Sequence, residues 1–309
     1  MQQKKCWVLT GPTASGKTAF SIQLAKKHDC EIICMDSMQI YRGMDIGTAK
    51  PTGEEMQGIV HHMLDVADPR EAFSVARYQE MAEECISDIL ARGKRPLLVG
   101  GTGLYLRALR QPMAMGDVSG DAKVREELEN IAASEGGRER LHDMLAAVDP
   151  ETALRLHIND VRRVVRALEV YRLTGVAFSR QPQLQTDSRF SYRVATLTMD
   201  RALLYSRIEQ RVDVMLAQGL MNEVQSLLKA GVPANCQAMK AIGYKEIIPY
   251  LEGNVSLDET ISLLKLNTRH YAKRQLTWMR REDDVLWVDA TAHDAYQTLE
   301  DWYIQGDLQ

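Results

Sequence analysis

Gly11-Pro12-Thr13-Ala14-Ser15-Gly16-Lys17-Thr18, directly after the apolar run Cys6-Trp7-Val8-Leu9-Thr10, fits the phosphate-loop pattern G-x-x-x-x-G-K-[ST] without insertion. A strand-like segment precedes it and a helix-like segment from Ala19 to Lys27 follows, the context that the pattern requires. Glycines at both ends let backbone N–H groups turn inward around phosphate oxygens, and the helix behind presents its positive end. Lys17 adds a mobile charge, and Thr18 offers a hydroxyl to a phosphate-bound Mg²⁺. Read alone, the loop says polyphosphate and leaves open which one.

Around the loop, the first hundred residues alternate strand and helix. The pattern predicts strands over 6–10, 31–36 and 96–100 and helices over 17–28 and 74–92. Such alternation gives a parallel sheet covered on both faces, with ligands at the carboxyl ends of the strands. From residue 113 the pattern turns helical. Gly116-Asp117-Val118-Ser119-Gly120 reads as a hinge, and residues 161, 164, 165, 168 and 171 form one apolar helix face. After a polar connector over 181–189, a strand over 192–197, a long helix over 201–230, a strand over 285–288 and a terminal helix complete the chain. The expected fold is α/β, a P-loop NTPase-like core over 1–112 and 190–309 whose parallel sheet is flanked by helices, with a mostly helical insertion domain over 113–189.

Bulk properties narrow the function. The chain has 309 residues, 45% hydrophobic and 26% charged, ordinary values for a globular protein. No apolar run reaches the length of a bilayer span, and the N-terminus leads into the first strand without room for a cleavable signal, so a cytoplasmic location without membrane contact is expected. Five cysteines without a C-x-x-C pair argue against a disulfide frame or a zinc site. The adjacent His61 and His62 cannot easily share one metal, and they read as structural. A net charge of −4 on its own argues against a general nucleic-acid coat. Yet six arginines face two acids between Arg155 and Arg180, and six Lys/Arg face none from Lys265 to Arg281. Two basic patches on an acidic protein point either to a defined polyanion site or to solvated helix faces.

An ATPase reading weakens on the 96–100 strand, where a Mg²⁺-holding acid is expected. It ends instead in Gly100-Gly101-Thr102-Gly103, a turn in which a ligand can pass close to the backbone. The free carboxylate sits at the end of the second strand, in Asp36-Ser37-Met38-Gln39, where it can ligate metal, accept a proton or cap a helix.

Taken together, Gly11–Thr18, the segment from Asp36 to Pro51, Gly100–Tyr105, Asn159–Tyr171, Ala241-Ile242-Gly243-Tyr244-Lys245-Glu246 and Tyr271–Trp278 resemble the tRNA dimethylallyltransferase family, in family order across nearly the whole chain. The chain departs from the family at Ile158, where proline is frequent, at Met279, where an aromatic is common, and over Pro112–Gly120; the zinc finger of some eukaryotic members is missing. The resemblance implies transfer of the dimethylallyl group of dimethylallyl diphosphate to N6 of the adenine just 3′ of the anticodon, with Mg²⁺ as cofactor and the tRNA anticodon stem-loop, gripped by the insertion, as partner of a monomer. Asp36 is then the general base, with Thr102 beside the adenine; Gly11, Pro12, Thr13, Ala14, Ser15, Gly16, Lys17 and Thr18 bind the diphosphate, Thr18 through the metal. By resemblance Arg211 completes the cationic clamp; its alternative is an ion pair with Asp200 or Glu209. The expected tRNA contacts are Asp36, Ser37, Met38, Gln39, Thr102, Arg162, Arg163, Arg166, Lys240, Ala241, Ile242, Gly243, Tyr244, Lys245, Lys273, Arg274, Gln275, Trp278 and Arg280. Gln39, Lys240, Lys245 and Gln275 are the candidates for touching bases. Tyr271 and Trp278, seven apart, share a helix face that reads as core more readily than as a stacking platform. Two other readings remain: an isopentenyltransferase acting on AMP or ATP, which has little use for the basic patches, and an ATP-driven RNA-binding protein, against which the missing acid speaks.

Overall fold

The computed structural model describes residues 4–111, 120–181 and 188–308. Six strands, β1 (Lys5–Thr10), β2 (Cys30–Cys34), β3 (His61–His62), β4 (Arg95–Val99), β5 (Ser191–Thr198) and β6 (Val285–Asp289), form one sheet in the order β3-β2-β4-β1-β5-β6. Every neighbouring pair is parallel. Helices α1 (Lys17–His28), α3 (Val75–Ala91) and α13 (Ala295–Leu308) pack on the sheet, and the same part of the chain holds α2 (Gly53–Met56), α4 (Gly103–Arg110), α9 (Arg201–Ala217), α10 (Leu220–Lys229), α11 (Tyr244–Leu251) and α12 (Leu257–Met279).

Strands buried on both faces explain the near-continuous apolar runs. Successive side chains alternate between two cores. Cys6 and Val8 of β1, with Ile33, Leu98 and Val194, join Tyr78, Ala82 and Ile86 of α3 and Leu106 of α4. Trp7 and Leu9, with Ile32, Leu97 and Ala195, join Ile22 and Leu24 of α1 and Leu299 and Tyr303 of α13. Trp7 stacks on Tyr303 at 4.7 Å, and the Tyr303 hydroxyl donates to the Val8 carbonyl at 2.6 Å. With β1 central and flanked by β4 and β5, the loops after β1, β2 and β4 meet at the carboxyl edge, at the topological switch point of the sheet.

The α/β expectation holds, with local corrections. The second strand ends at Cys34, two residues short of the expected end, which puts Asp36 in the following loop. The long helix expected over 201–230 breaks into α9 and α10, because Gly219 adopts φ +101° at the N-cap of α10. His61 and His62 form a two-residue edge strand, too short for any periodic signal. His62 Nε2 lies 2.7 Å from the Glu31 carboxylate and His61 Nδ1 lies 2.9 Å from the Ile59 carbonyl, so both imidazoles have structural partners. No described helix is long and apolar enough to cross a membrane.

The chain divides into two compact units, residues 1–110 with 188–309, and residues 111–187. The second unit is built from α5 (Ala122–Ala133), α6 (Gly137–Val148), α7 (Pro150–Arg155) and α8 (Val161–Thr174). Its core gathers Leu128, Leu141, Leu145, Val164, Val165 and Leu168, so the apolar face read from the spacing of α8 is the buried one. Glu169 lies on α8 with its carboxylate fully buried and held by Arg125 at 2.9 Å and Arg166 at 2.7 Å. Residues 116–119 of the expected hinge and 182–187 of the expected connector lie outside the described residues.

Candidate active site

Three loops at the carboxyl edge build the site, and the phosphate loop is the first. Gly16 takes φ +91° at the N-cap of α1, a conformation that suits glycine, and the chain enters the helix with its first amides facing the loop. The Lys17 amine donates to the carbonyls of Gly11 at 2.9 Å and Pro12 at 2.8 Å. Burial, then the nearby Arg211 guanidinium, bring its pKa down to about 8, against the opposing pull of Asp36. Burial also lowers Arg211, with Glu55 and Asp36 acting the other way. Lys17, Arg211 and Asp36 thus share one electrostatic neighbourhood although they come from α1, α9 and the loop after β2. The two alternative partners of Arg211 are engaged elsewhere: Asp200 caps its own helix through the amides of Ala202 and Leu203, and Glu209 pairs with Arg269. The Thr18 hydroxyl side chain is exposed on the first turn of α1. The Ser15 hydroxyl is buried within the loop without a hydrogen-bond partner among the described residues.

The second loop carries Asp36. Its Oδ1 accepts from the amides of Met38 at 2.9 Å and Gln39 at 3.4 Å, which fixes the carboxylate plane. Oδ2 takes no hydrogen bond among the described residues.

The third loop is the Gly100–Gly103 turn. A Cβ on Gly100 would lie 2.0 Å from the Met35 carbonyl oxygen, and one on Gly103 2.8 Å from the Trp278 indole. This crowding lets the Thr102 hydroxyl accept from the Ser37 amide at 3.0 Å, while the Thr102 amide donates to the Met35 carbonyl at 3.2 Å. Asp36 is therefore bracketed by two residues, Met35 and Ser37, that both bond to Thr102. Beside them opens a cavity of about 540 Å³ whose wall includes Ser37, Thr102, Tyr271, Arg274 and Trp278. Burial raises the Tyr271 phenol far above its ordinary range, with Asp36 adding to the shift and hydrogen bonding to Thr102 opposing it.

The segment after Asp36 is held from afar. The Glu223 carboxylate of α10 accepts from the amides of Asp45 at 2.9 Å, Ile46 at 2.8 Å and Gly47 at 3.0 Å, and from the Tyr244 hydroxyl at 2.6 Å. Lys50 donates to Asp45, Asp65 and the Tyr41 carbonyl. These anchors have no local sequence signal, because each bonds a loop to a distant or unremarkable polar residue.

Several residues expected to touch tRNA make contacts within the protein's own frame. Gln39 donates to the carbonyls of Thr48 and Ala49 at 3.0 Å each, and its amide oxygen accepts from the Cys34 thiol at 3.2 Å. Gln275 is 5% exposed, with its oxygen accepting from the Thr13 amide at 2.9 Å and its nitrogen donating to the Gly101 carbonyl at 3.2 Å. Both amide ends of each glutamine thus have partners within the chain. Ala241 and Tyr244 are buried, the latter packed against Gly47, where a Cβ would come within 2.5 Å of the ring. Gly243, also buried, caps α11 and donates to Glu246 at 2.8 Å. Arg166 is tied to buried Glu169. Met38 and Ile242 are partly buried against the main core.

The remaining candidates are accessible. Arg162 and Arg163 lie exposed on α8, Arg163 in a 2.8 Å pair with Asp160. Lys240, Lys245, Lys273, Arg274 and Arg280 are exposed, with Lys245 3.6 Å from Glu246. Trp278 and Tyr271 both line the cavity, so they serve as wall as well as packing.

A family model for IPP transferase matches residues 39–282. The chain belongs to the IPP transferase family. Relatives of this family named tRNA dimethylallyltransferase, from Bacillus mycoides and Bacillus anthracis, are 51% identical over 312 aligned positions, covering 100% of this chain and 97% and 98% of theirs. The fold is similar to the crystal structure of the full-length tRNA isopentenylpyrophosphate transferase of Bacillus halodurans, 46% identical with a TM-score of 0.73, covering 99% of this chain and 97% of that one. It is also similar to a eukaryotic dimethylallyltransferase described as acting on tRNA, 32% identical with a TM-score of 0.79, covering 99% of this chain and 79% of that one. The family model begins after the phosphate loop and Asp36, which are covered by the full-length relatives.

Proposed function

We propose that this IPP transferase moves the dimethylallyl group from dimethylallyl diphosphate to N6 of the adenine just 3′ of the anticodon of tRNA. The observation that carries the reading is the juxtaposition at one sheet edge of a cationic phosphate loop and a carboxylate with an open oxygen, Asp36 Oδ2. An allylic carbon–oxygen bond ionises readily once the leaving diphosphate is neutralised, since the cation is delocalised. The loop amides, Lys17 and Arg211 supply that neutralisation where charge develops, and such electrostatic preorganisation is typically the largest contribution to catalysis.

On the acceptor side, N6 is a weak nucleophile because its lone pair is shared with the ring. Asp36 accepts the N6 proton as the new carbon–nitrogen bond forms, an assistance worth about 10²–10⁴-fold. The paired amides on Oδ1 hold the carboxylate still, and Thr102, fixed through Ser37 and Met35, lies at the rim of the cavity that receives the base. The base leaves its stack to reach that cavity, at a cost of a few kcal/mol. Phosphate contacts from Lys273, Arg274 and Arg280 on one unit, and from Arg162 and Arg163 on the other, offset this cost and set register.

The donor set fits Mg²⁺ bound chiefly through the substrate. Thr18 offers an exposed hydroxyl, while no cluster of three His, Cys, Asp or Glu side chains occurs among the described residues, and Mg²⁺ commonly takes one or two protein oxygens with phosphate and water completing its shell. When bound, the ion would add charge neutralisation to the diphosphate, with Thr18 holding it.

The test is incubation with labelled dimethylallyl diphosphate, Mg²⁺ and either unmodified tRNA or AMP. Label on tRNA is expected. Label on AMP alone would promote a nucleotide-level transferase, and label on neither would overturn the reading.

A further inference from the structure

β1 and β4 pair through Leu9 and Val99, and the last backbone bond between them runs from the Gly100 amide to the Leu9 carbonyl at 3.2 Å. Beyond that point Gly101 still lies against the start of the phosphate loop, where a Cβ on it would be 3.2 Å from the Gly11 carbonyl oxygen, and the two segments then diverge, one carrying the donor-binding amides and the other Thr102. The side chain of Gln275, reaching in from α12, spans the gap: its oxygen takes the Thr13 amide at 2.9 Å and its nitrogen gives to the Gly101 carbonyl at 3.2 Å. We infer that Gln275 is a positioning residue that sets the separation between the diphosphate loop and the acceptor turn, an inference that rests on the prenyl-transfer reading.

The chemistry of the bridge is specific. The two loops present one donor and one acceptor, and a primary amide offers the matching acceptor and donor on one planar group. Glutamate keeps the acceptor and loses the donor, leucine loses both, and asparagine falls one methylene short. At 5% exposure, a lost bond is poorly replaced by water. Gly101 is the complement of this side chain, since a Cβ there would lie 1.9 Å from the Gln275 amide nitrogen. From Gly101 the connection runs on through Thr102 to the Ser37 amide, next to Asp36. Donor and base are thereby tied in one chain: Thr13, Gln275, Gly101, Thr102, Ser37, Asp36. Gln275 touches neither reacting atom, and its effect is on their distance.

A loosened bridge changes the fate of the allyl group. The carbon–oxygen bond to diphosphate still breaks, but with N6 displaced, water attacks the allylic carbon, loses a proton to solvent, and yields dimethylallyl alcohol and diphosphate. The discriminating readouts are therefore the ratio of alcohol to prenylated tRNA, the separate KM and kcat values, and hydrogen exchange of the Thr13 amide. For Gln275→Leu we expect kcat for transfer to fall about 10²-fold, as for a misplacement near 1 Å, with KM for tRNA within about threefold, a raised alcohol fraction and about tenfold faster Thr13 exchange. Gln275→Glu, which keeps the bond to Thr13, should fall between this variant and the wild type. If Gln275→Leu does not fold, Gln275→Glu and Gln275→Asn carry the test. Turnover per folded molecule within threefold of wild type would overturn the inference. So would a KM for tRNA raised tenfold at unchanged kcat, which would make Gln275 an RNA contact. If the wild type itself prenylates no tRNA, the reading of function fails, and the bridge is judged by exchange: unchanged Thr13 protection in the variants overturns it.

Discussion

Gly100→Ala tests how tightly the acceptor geometry is built. The added Cβ would sit 2.0 Å from the Met35 carbonyl oxygen and 2.3 Å from its carbon, both backbone atoms. No side-chain rotation relieves such a clash, so the two segments must separate by about 1 Å to reach even a tight contact. Either the Met35 peptide moves and takes Asp36 with it, or the turn moves and takes Thr102. Both disturb the Thr102 amide bond to Met35 and the Ser37 bond to Thr102, at 3.2 and 3.0 Å. A displacement near 1 Å costs about 10²-fold in rate where reacting groups must align, and overpacking of this kind costs about 1–3 kcal/mol in stability. Single-turnover transfer at saturating tRNA and dimethylallyl diphosphate should therefore fall about 10²-fold in folded Gly100→Ala, while inorganic pyrophosphate binding changes little because the phosphate loop is untouched. Gly53→Ala, whose Cβ would meet nothing within 4 Å, is the control expected to be neutral. A Gly100→Ala enzyme with a single-turnover rate within threefold of wild type would refute the claim that this contact sets the geometry.

Asp36→Asn should lower kcat by about 10²-fold or more with tRNA affinity retained, as measured by filter binding beside turnover; near-normal turnover would remove Asp36 as the base. Lys17 has its pKa lowered from 10.5 to about 8, so its charge destabilises the free fold fully below about pH 8, and the penalty fades as pH rises from 8 towards 10.5. Lys17→Met removes this pH-dependent penalty together with the bonds to the Gly11 and Pro12 carbonyls, so its stability relative to wild type should fall as pH rises from 8 towards 10.5, while pyrophosphate binding is lost. In the helical unit, Arg163→Ala should leave Tm nearly unchanged and lower the salt slope of tRNA binding by about one, since its pair with Asp160 is 70% exposed on the arginine side. Arg166→Ala should instead lower Tm, by about 1–2 kcal/mol in stability, because buried Glu169 then keeps only Arg125 of its two arginine partners.

What could be read from the sequence was what is contiguous along it. The phosphate loop, Asp36 just past a strand end and the acid-free turn at Gly100 each place their chemistry within a few residues, and the apolar runs of β1, β2 and β4 announce a doubly covered sheet. What escaped depends on contacts between distant segments. Glu223 is an ordinary helical glutamate until α10 brings it to the amides of Asp45, Ile46 and Gly47. Gln39 and Gln275 stand in motifs that suggest base recognition, yet both ends of each amide are bonded within the chain, Gln39 to two carbonyls and the Cys34 thiol, Gln275 to the Thr13 amide and the Gly101 carbonyl. The break at Gly219 is masked because Leu216 and Leu220 continue the apolar spacing across it. A polar side chain's role follows from whether its hydrogen-bonding capacity is already spent, and that is a property of the folded chain.

In the proposed reaction the phosphate loop serves a leaving diphosphate and not an energy supply. The most direct measurement is the ratio of pyrophosphate released to dimethylallyl groups attached to tRNA, in a reaction holding Mg²⁺ and no nucleoside triphosphate. One pyrophosphate per prenylated adenine is expected. Transfer that requires ATP, or no prenylated tRNA at all, would contradict it.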